Sequence, residues 1–141
     1  MTSPAPAHVL SETISSDLAE ARRIQCEIES ALHRASFAEH DIFAIKLALE
    51  EALVNAIKHG NNLDRSKTVH VNCRICPERF EVQITDEGPG FDPECVPDPT
   101  APENLERPCG RGLLLMRHYM TEVAYHNSGR AVRMAKVRKA V

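Results

Sequence analysis

The order in which hydrophobic periods follow one another constrains this chain more than any other feature. From Ser16 to Ala35 apolar residues recur at helical spacing, as Leu18, Ala21, Ile24, Ile28, Ala31, Leu32 and Ala35. Ser15 or Ser16 is placed to cap that helix. A second helix is expected from about Ala38 to His59, with the stripe Ile42, Ile45, Leu49, Ala52, Leu53, Ala56 and Ile57. At 1.5 Å per residue it would span roughly 33 Å, and Gly60 with Asn61 would end it. The period then changes. Thr68 to Ile75 alternates, as does Arg79 to Asp86, and Pro77-Glu78 supplies a turn between them. A short helix over 112–120 and a hairpin of 121–127 with 130–139 complete the chain, and residues 8–14 suit a short strand. Helix, helix, strand, strand, helix, strand, strand packs most naturally as an α+β two-layer sandwich, with helices on one face of a mostly antiparallel sheet.

A length of 141 residues argues for one domain. Such a chain buries roughly 68% of its unfolded surface, enough for a core without staples. Hydrophobic residues at 43% and charged residues at 26% are an ordinary globular composition. No run approaches the ~18 apolar residues of a membrane span. The start, residues 1–7, shows neither a basic flank nor an apolar run and reads as a flexible tail, not a secretory signal. A net charge of -3 argues against a binder of nucleic-acid backbone. The basic residues Arg130, Arg133, Lys136, Arg138 and Lys139 read as a solvated strand face. Five scattered cysteines, an odd count, suit reduced thiols in a cytoplasm. Cys73 and Cys76 form a lone CxxC in a strand-like run, where residues three apart point to opposite faces. It lacks the second ligand pair of a zinc site.

Glycine and proline are placed unevenly. Of six glycines, two form Gly88-Pro89-Gly90 and two form Gly110-Arg111-Gly112. Either pair alone reads as turn chemistry, yet glycine also lets backbone approach a ligand closely. Six of nine prolines fall between Pro89 and Pro108. The stretch at about 91–109 has no clear period, and loops of that length are usually functional. A lid between the two glycine turns is the expectation.

Glu51 and Asn55 lie four apart on one helical face, and His59 follows four further on. This stripe borders the apolar one, where a carboxylate and a carboxamide cost energy unless they have partners. Mg²⁺ takes oxygen ligands and usually keeps waters and phosphates among them. An Asn carbonyl beside a carboxylate suits a Mg–nucleotide, although a solvated helix flank would look the same. Asp86 ends an alternating strand and enters Asp86-Glu87-Gly88-Pro89-Gly90. A carboxylate there can accept a hydrogen bond from an exocyclic amine, worth ~1.5–3 kcal/mol. An aspartate that merely opens a turn is equally familiar.

These motifs occur in order: E-x-x-x-N on a helix, a strand ending in D-x-G-x-G, a lid, and G-x-G before a helix. In that order they resemble the histidine-kinase-like ATPase superfamily. Glu51-Ala52-Leu53-Val54-Asn55-Ala56-Ile57-Lys58-His59-Gly60 is similar to its N box, Asp86 to Phe91 to its first glycine box, and Gly110 to Met116 to its second. The E-A-x-x-N-A-x-x-H-G wording and the short length resemble the anti-sigma-factor serine kinases of bacterial partner switching. The resemblance spans about residues 8–139. It implies ATP and Mg²⁺, with Asn55 as metal ligand, His59 on the nucleotide side, and Asp86 as the adenine-reading carboxylate. It puts Gly88 and Gly90 along base and ribose, and Gly110, Arg111 and Gly112 around the phosphates, with Arg107 a further phosphate contact. Glu51 matches the general base that takes a serine proton. The resemblance also implies a sigma factor and a serine-bearing anti-sigma-factor antagonist as partners, and a homodimer. One departure stands out. The family often has threonine just after the last-hairpin glycine, where Arg130 and Ala131 follow Gly129 here.

Two other readings compete. A sensor-kinase domain would use His40 as phosphoacceptor, but His40 shares its expected helix with Glu51, 11 residues before it, and cannot swing to its own γ-phosphate. A nucleotide-binding module could instead sequester a regulator without transferring phosphate. The expectation is a cytoplasmic ATP-dependent serine kinase acting as an anti-sigma factor, with no nucleic-acid or membrane partner.

Overall fold

The computed structural model describes residues 8–88, 116–126 and 130–138. The 1–7 tail, the 91–109 lid and the second glycine turn, with Gly90, Arg107, Gly110, Arg111 and Gly112, lie outside the described residues. The chain opens with β1 (His8–Ser15), then α1 (Leu18–Arg34) and α2 (Glu39–Val54). A π-helical turn over Asn55–Gly60 extends α2. Strands β2 (Thr68–Ile75), β3 (Arg79–Thr85), β4 (Glu122–His126) and β5 (Ala131–Val137) follow. They form one sheet in the order β1-β2-β3-β5-β4, and every pairing is antiparallel.

Alternation does what the sequence implies. Val69, Val71, Cys73 and Ile75 of β2, Phe80, Val82 and Ile84 of β3, and Val132 and Met134 of β5 are buried together. The register sets Val71 opposite Ile84 and Val82 opposite Met134, so these side chains share a face. Against them lie Ile24, Ile28 and Leu32 of α1 and Ile42, Ile45, Leu49 and Leu53 of α2. Each such side chain stabilises the fold by about 1.5–3 kcal/mol on burial. The result is the expected α+β sandwich.

Two local expectations are corrected. The cap of α1 is Asp17, whose Oδ1 accepts from the Ala19 amide at 2.9 Å. A carboxylate there satisfies a free amide and complements the helix dipole. Ser16 instead turns inward and is buried. The second helix is also not α-helical to His59. Regular winding ends at Val54, and the Asn61 amide then bonds back to the Ala56 carbonyl at 2.9 Å, five residues away. Such widened turns occur mostly as single insertions, frequently at functional sites. Asn62 (φ 52) and Leu63 (φ 58) reverse the chain in left-handed conformation, and the Leu63 amide reaches the Ile57 carbonyl at 2.8 Å.

Candidate functional site

The widened turn delivers Gly60 directly against Asp86. A Cβ added at Gly60 would lie 2.5 Å from the Asp86 Cγ and 2.5 Å from its Oδ2. A Cβ at Gly88 would fall on the carbonyl of Gly60. Two backbone segments, the turn ending at Gly60 and the stretch 86–88, therefore meet at distances only glycine permits, and the carboxylate of Asp86 occupies the space that a side chain at Gly60 would take.

Asp86 leaves the end of β3 under control. Its amide donates to the Arg130 carbonyl at 2.9 Å, and its Oδ1 accepts from the Gly88 amide at 2.8 Å. The carboxylate is half-buried. Desolvation raises its pKa above the ordinary aspartate value, against the pull of the Gly88 amide, Arg130 and Lys67. A half-buried acid set against the backbone of Gly60 and Gly88 is an acceptor that suits an exocyclic amine.

Behind this niche lies a group that the sequence reading missed. Asn61, expected only as a helix stop, is fully buried. Its Nδ2 donates to the Ser16 Oγ at 2.9 Å and to the Thr68 carbonyl at 2.9 Å. Its Oδ1 accepts from the Glu87 amide at 2.8 Å. Ser16 Oγ in turn donates to the Lys67 carbonyl at 2.8 Å, and the Thr68 amide donates to Glu87 Oε2 at 2.9 Å. The carboxamide thus meets all three partners that its donors and acceptor need in a buried setting. The available signal was a second polar residue directly after a helix-ending glycine, which reads equally well as turn chemistry.

The other expected residues are distributed as follows. Glu51 is half-buried in the last turn of α2, and Asn55 is half-buried at the first position of the widened turn. The backbone amide of Asn55 bonds to the carbonyls of Ala52 and Glu51. His59 is exposed one residue before Gly60. Gly88 is buried against Gly60. The structure therefore joins the end of the N-box helix to the first glycine turn. His40 is exposed in the first turn of α2, on the same helix as Glu51.

The first cysteine of the lone CxxC is a core residue. Cys73 is buried in the core and burial pushes its pKa up to about 12, so it stays a neutral hydrophobe. The basic residues of the last strand are not one patch either. Arg133 faces Glu81 at 3.5 Å, Lys136 donates to the Tyr119 carbonyl at 2.8 Å, and Arg138 donates to the Pro77 carbonyl at 2.7 Å.

Residues 14–136 match the family model of the histidine kinase-like ATPase domain. The chain belongs to that family. Among its relatives is the serine-protein kinase RsbW of Staphylococcus aureus, 31% identical over 124 residues, which cover 80% of this chain and 76% of that protein. The RsbW of Oceanobacillus iheyensis is 29% identical over 116 residues, 77% of this chain and 73% of the relative. The serine/threonine-protein kinase BtrW of Bordetella bronchiseptica is 31% identical over 85 residues, 59% of this chain and 60% of the relative. The crystal structure of the RsbU and RsbW domains of a Mycobacterium tuberculosis protein shares the fold. It aligns with a TM-score of 0.65 at 15% identity, over 96% of this chain and 32% of that one. The member described here is thus a homologue of serine-protein kinases on the histidine kinase-like ATPase fold.

Proposed function

We propose that this chain is a Mg-ATP-dependent serine protein kinase that acts as an anti-sigma factor. It would phosphorylate a serine of an antagonist protein and bind a sigma factor. The observation that carries this reading is the contact of Gly60, Asp86 and Gly88, which leaves a half-buried carboxylate in a niche walled by backbone. Adenine presents an amine to such an acceptor, and a charge-assisted bond of this kind is worth ~1.5–3 kcal/mol.

The remaining roles follow from position. Asn55 sits on the turn that ends at Gly60 and offers a neutral oxygen. Among the described residues no three His, Cys, Asp or Glu side chains converge to cage a metal. A Mg²⁺ bound by Asn55 would therefore complete its shell with phosphate and water oxygens, and would supply charge neutralisation at the phosphates. Glu51 lies one helical turn before Asn55 and is the proposed base that accepts the proton of the substrate serine. His59 is a further nucleotide contact at the exposed end of the turn. By the resemblance of the two glycine motifs, Gly88 and Gly90 would line base and ribose, and Gly110, Arg111 and Gly112, with Arg107, would serve the phosphates. A homodimer in the cytoplasm completes the reading. No helix among the described residues is long and apolar enough to cross a membrane.

The test is phosphate transfer from radiolabelled ATP to a candidate antagonist. Loss of a general base costs ~10²–10⁴ in rate. Glu51→Gln is therefore expected to lose transfer by that factor while it still binds ATP. ATP binding without transfer by the unsubstituted protein would favour a sequestering module. Label on the protein's own histidine would favour a sensor-kinase domain.

A further inference from the structure

We propose that Asn61 is a positioning residue for base recognition, acting through the backbone of residues 86–88. The inference rests on Asp86 as the reader of the exocyclic amine.

Asn61 is a buried side chain that ties together four segments of the chain, one of them adjoining Asp86. They are the β1–α1 junction at Ser16, the end of the widened turn, the start of β2 at Thr68, and Glu87. Its bond to the Glu87 amide fixes the peptide next to Asp86. Its bonds to Ser16 and Thr68 hold Asn61 itself, so the whole is anchored to two strands. Glu87 is clamped a second time through the Thr68 amide. Ser16 extends the chain of bonds to the carbonyl of Lys67, itself one of the two cations that act on Asp86. The glycine contacts leave no slack: a small rotation of the 86–88 backbone would drive Gly88 into the Gly60 carbonyl or move the carboxylate off Gly60. Hydrogen bonding sets the angle at which the carboxylate meets a purine, and a bond of this type weakens steeply once misaligned.

Loss of Asn61 should thus impair recognition of the amine more than binding of the nucleotide as such. A residue needed only for folding would weaken all nucleotides equally, through the fraction folded. The discriminating probes are ATP and purine riboside 5′-triphosphate, which has hydrogen in place of the amine.

The unsubstituted protein should prefer ATP by about ten- to a hundred-fold, the ratio that corresponds to one charge-assisted bond. Asp86→Asn should bring that preference close to unity. If the unsubstituted protein has no such preference, the reading of Asp86 fails and this inference fails with it. Given the preference, Asn61→Ala should lower it at least five-fold and leave affinity for purine riboside triphosphate within about two-fold. Ser16→Ala keeps the Glu87 bond but removes one anchor of Asn61, and should lower the preference by about two- to three-fold. Should Asn61→Ala fail to fold, Ser16→Ala decides. A preference that stays unchanged in the folded variants, or equal loss of both nucleotides, overturns the role of Asn61 while the reading of Asp86 stands.

Discussion

The two ends of the sheet are built on opposite plans. At the end where β2 turns into β3, Arg138 closes every gap. Its guanidinium donates to the carbonyls of Pro77, Ala35 and Ser36 and lies 4.5 Å from the centroid of the Phe37 ring. One cation there satisfies the free carbonyls that end α1 and seals an aromatic edge. At the other end, where β3 leaves the sheet at Asp86, a carboxylate is half-buried and its pKa rises by desolvation. The Asn61 carboxamide behind it is matched by Ser16, Thr68 and Glu87, and the carboxylate itself accepts from the Gly88 amide. The first end gathers stabilising contacts, whereas the second holds a carboxylate whose ionised form is disfavoured by desolvation, a pattern typical of functional sites.

Substitutions at the two ends should therefore separate affinity from stability. The largest combined loss of stability and affinity is expected at Gly88. An alanine there must displace backbone of Gly60, which cannot yield cheaply, so Gly88→Ala should cost about 1–3 kcal/mol of stability and at least ten-fold in ATP affinity. Gly60→Ala meets a side chain instead, the Asp86 carboxylate at 2.5 Å. It should shift the carboxylate, lowering ATP affinity with a smaller stability loss. Denaturant unfolding and calorimetric titration measure both quantities. If either alanine bound ATP with full affinity, the niche would not be the base site.

Arg138→Ala should show the reverse pattern. It removes several carbonyl contacts and the ring contact, so a loss of about 1–3 kcal/mol is expected, with ATP affinity unchanged. A change in affinity without a change in unfolding midpoint would show that the ends are not independent.

The smallest expected effect concerns pH. Asp86 has a raised pKa in the fold, so the native state holds its proton more tightly than the unfolded chain does. Its ionisation thus costs stability above the ordinary aspartate range, and the cost disappears below it. Asp86→Asn keeps the shape and an oxygen for the Gly88 amide. It should raise Tm by on the order of 1–2 °C at neutral pH, and the difference should vanish as pH falls toward the unfolded aspartate value. A Tm lower at neutral pH than that of the unsubstituted protein would contradict the desolvation argument.

Much of this contrast could be read from the chain. Alternation placed β2 and β3 within one residue of their observed ends, because one face of the sheet is buried and a slip would turn every side chain over. The ordered motifs around Asn55 and Asp86 pointed to the end of the sheet where Gly60 meets Asp86. The widened turn could not be read, since the stripe Ala52, Leu53, Ala56, Ile57 suits either winding. Asn61 escaped because two of its partners, Ser16 and Glu87, are remote in sequence and its role exists only once the sheet has formed. Arg138 looked like one more surface cation for the same reason: two of the carbonyls it meets, of Ala35 and Ser36, follow a helix more than a hundred residues away.

The most direct test of the whole account is titration of Mg-ATP into the protein and into Asp86→Asn, with unfolding curves recorded for both. The account predicts binding by the first and about a hundred-fold weaker binding by the second, at equal or slightly greater stability. Equal affinity of the two proteins for ATP would contradict it.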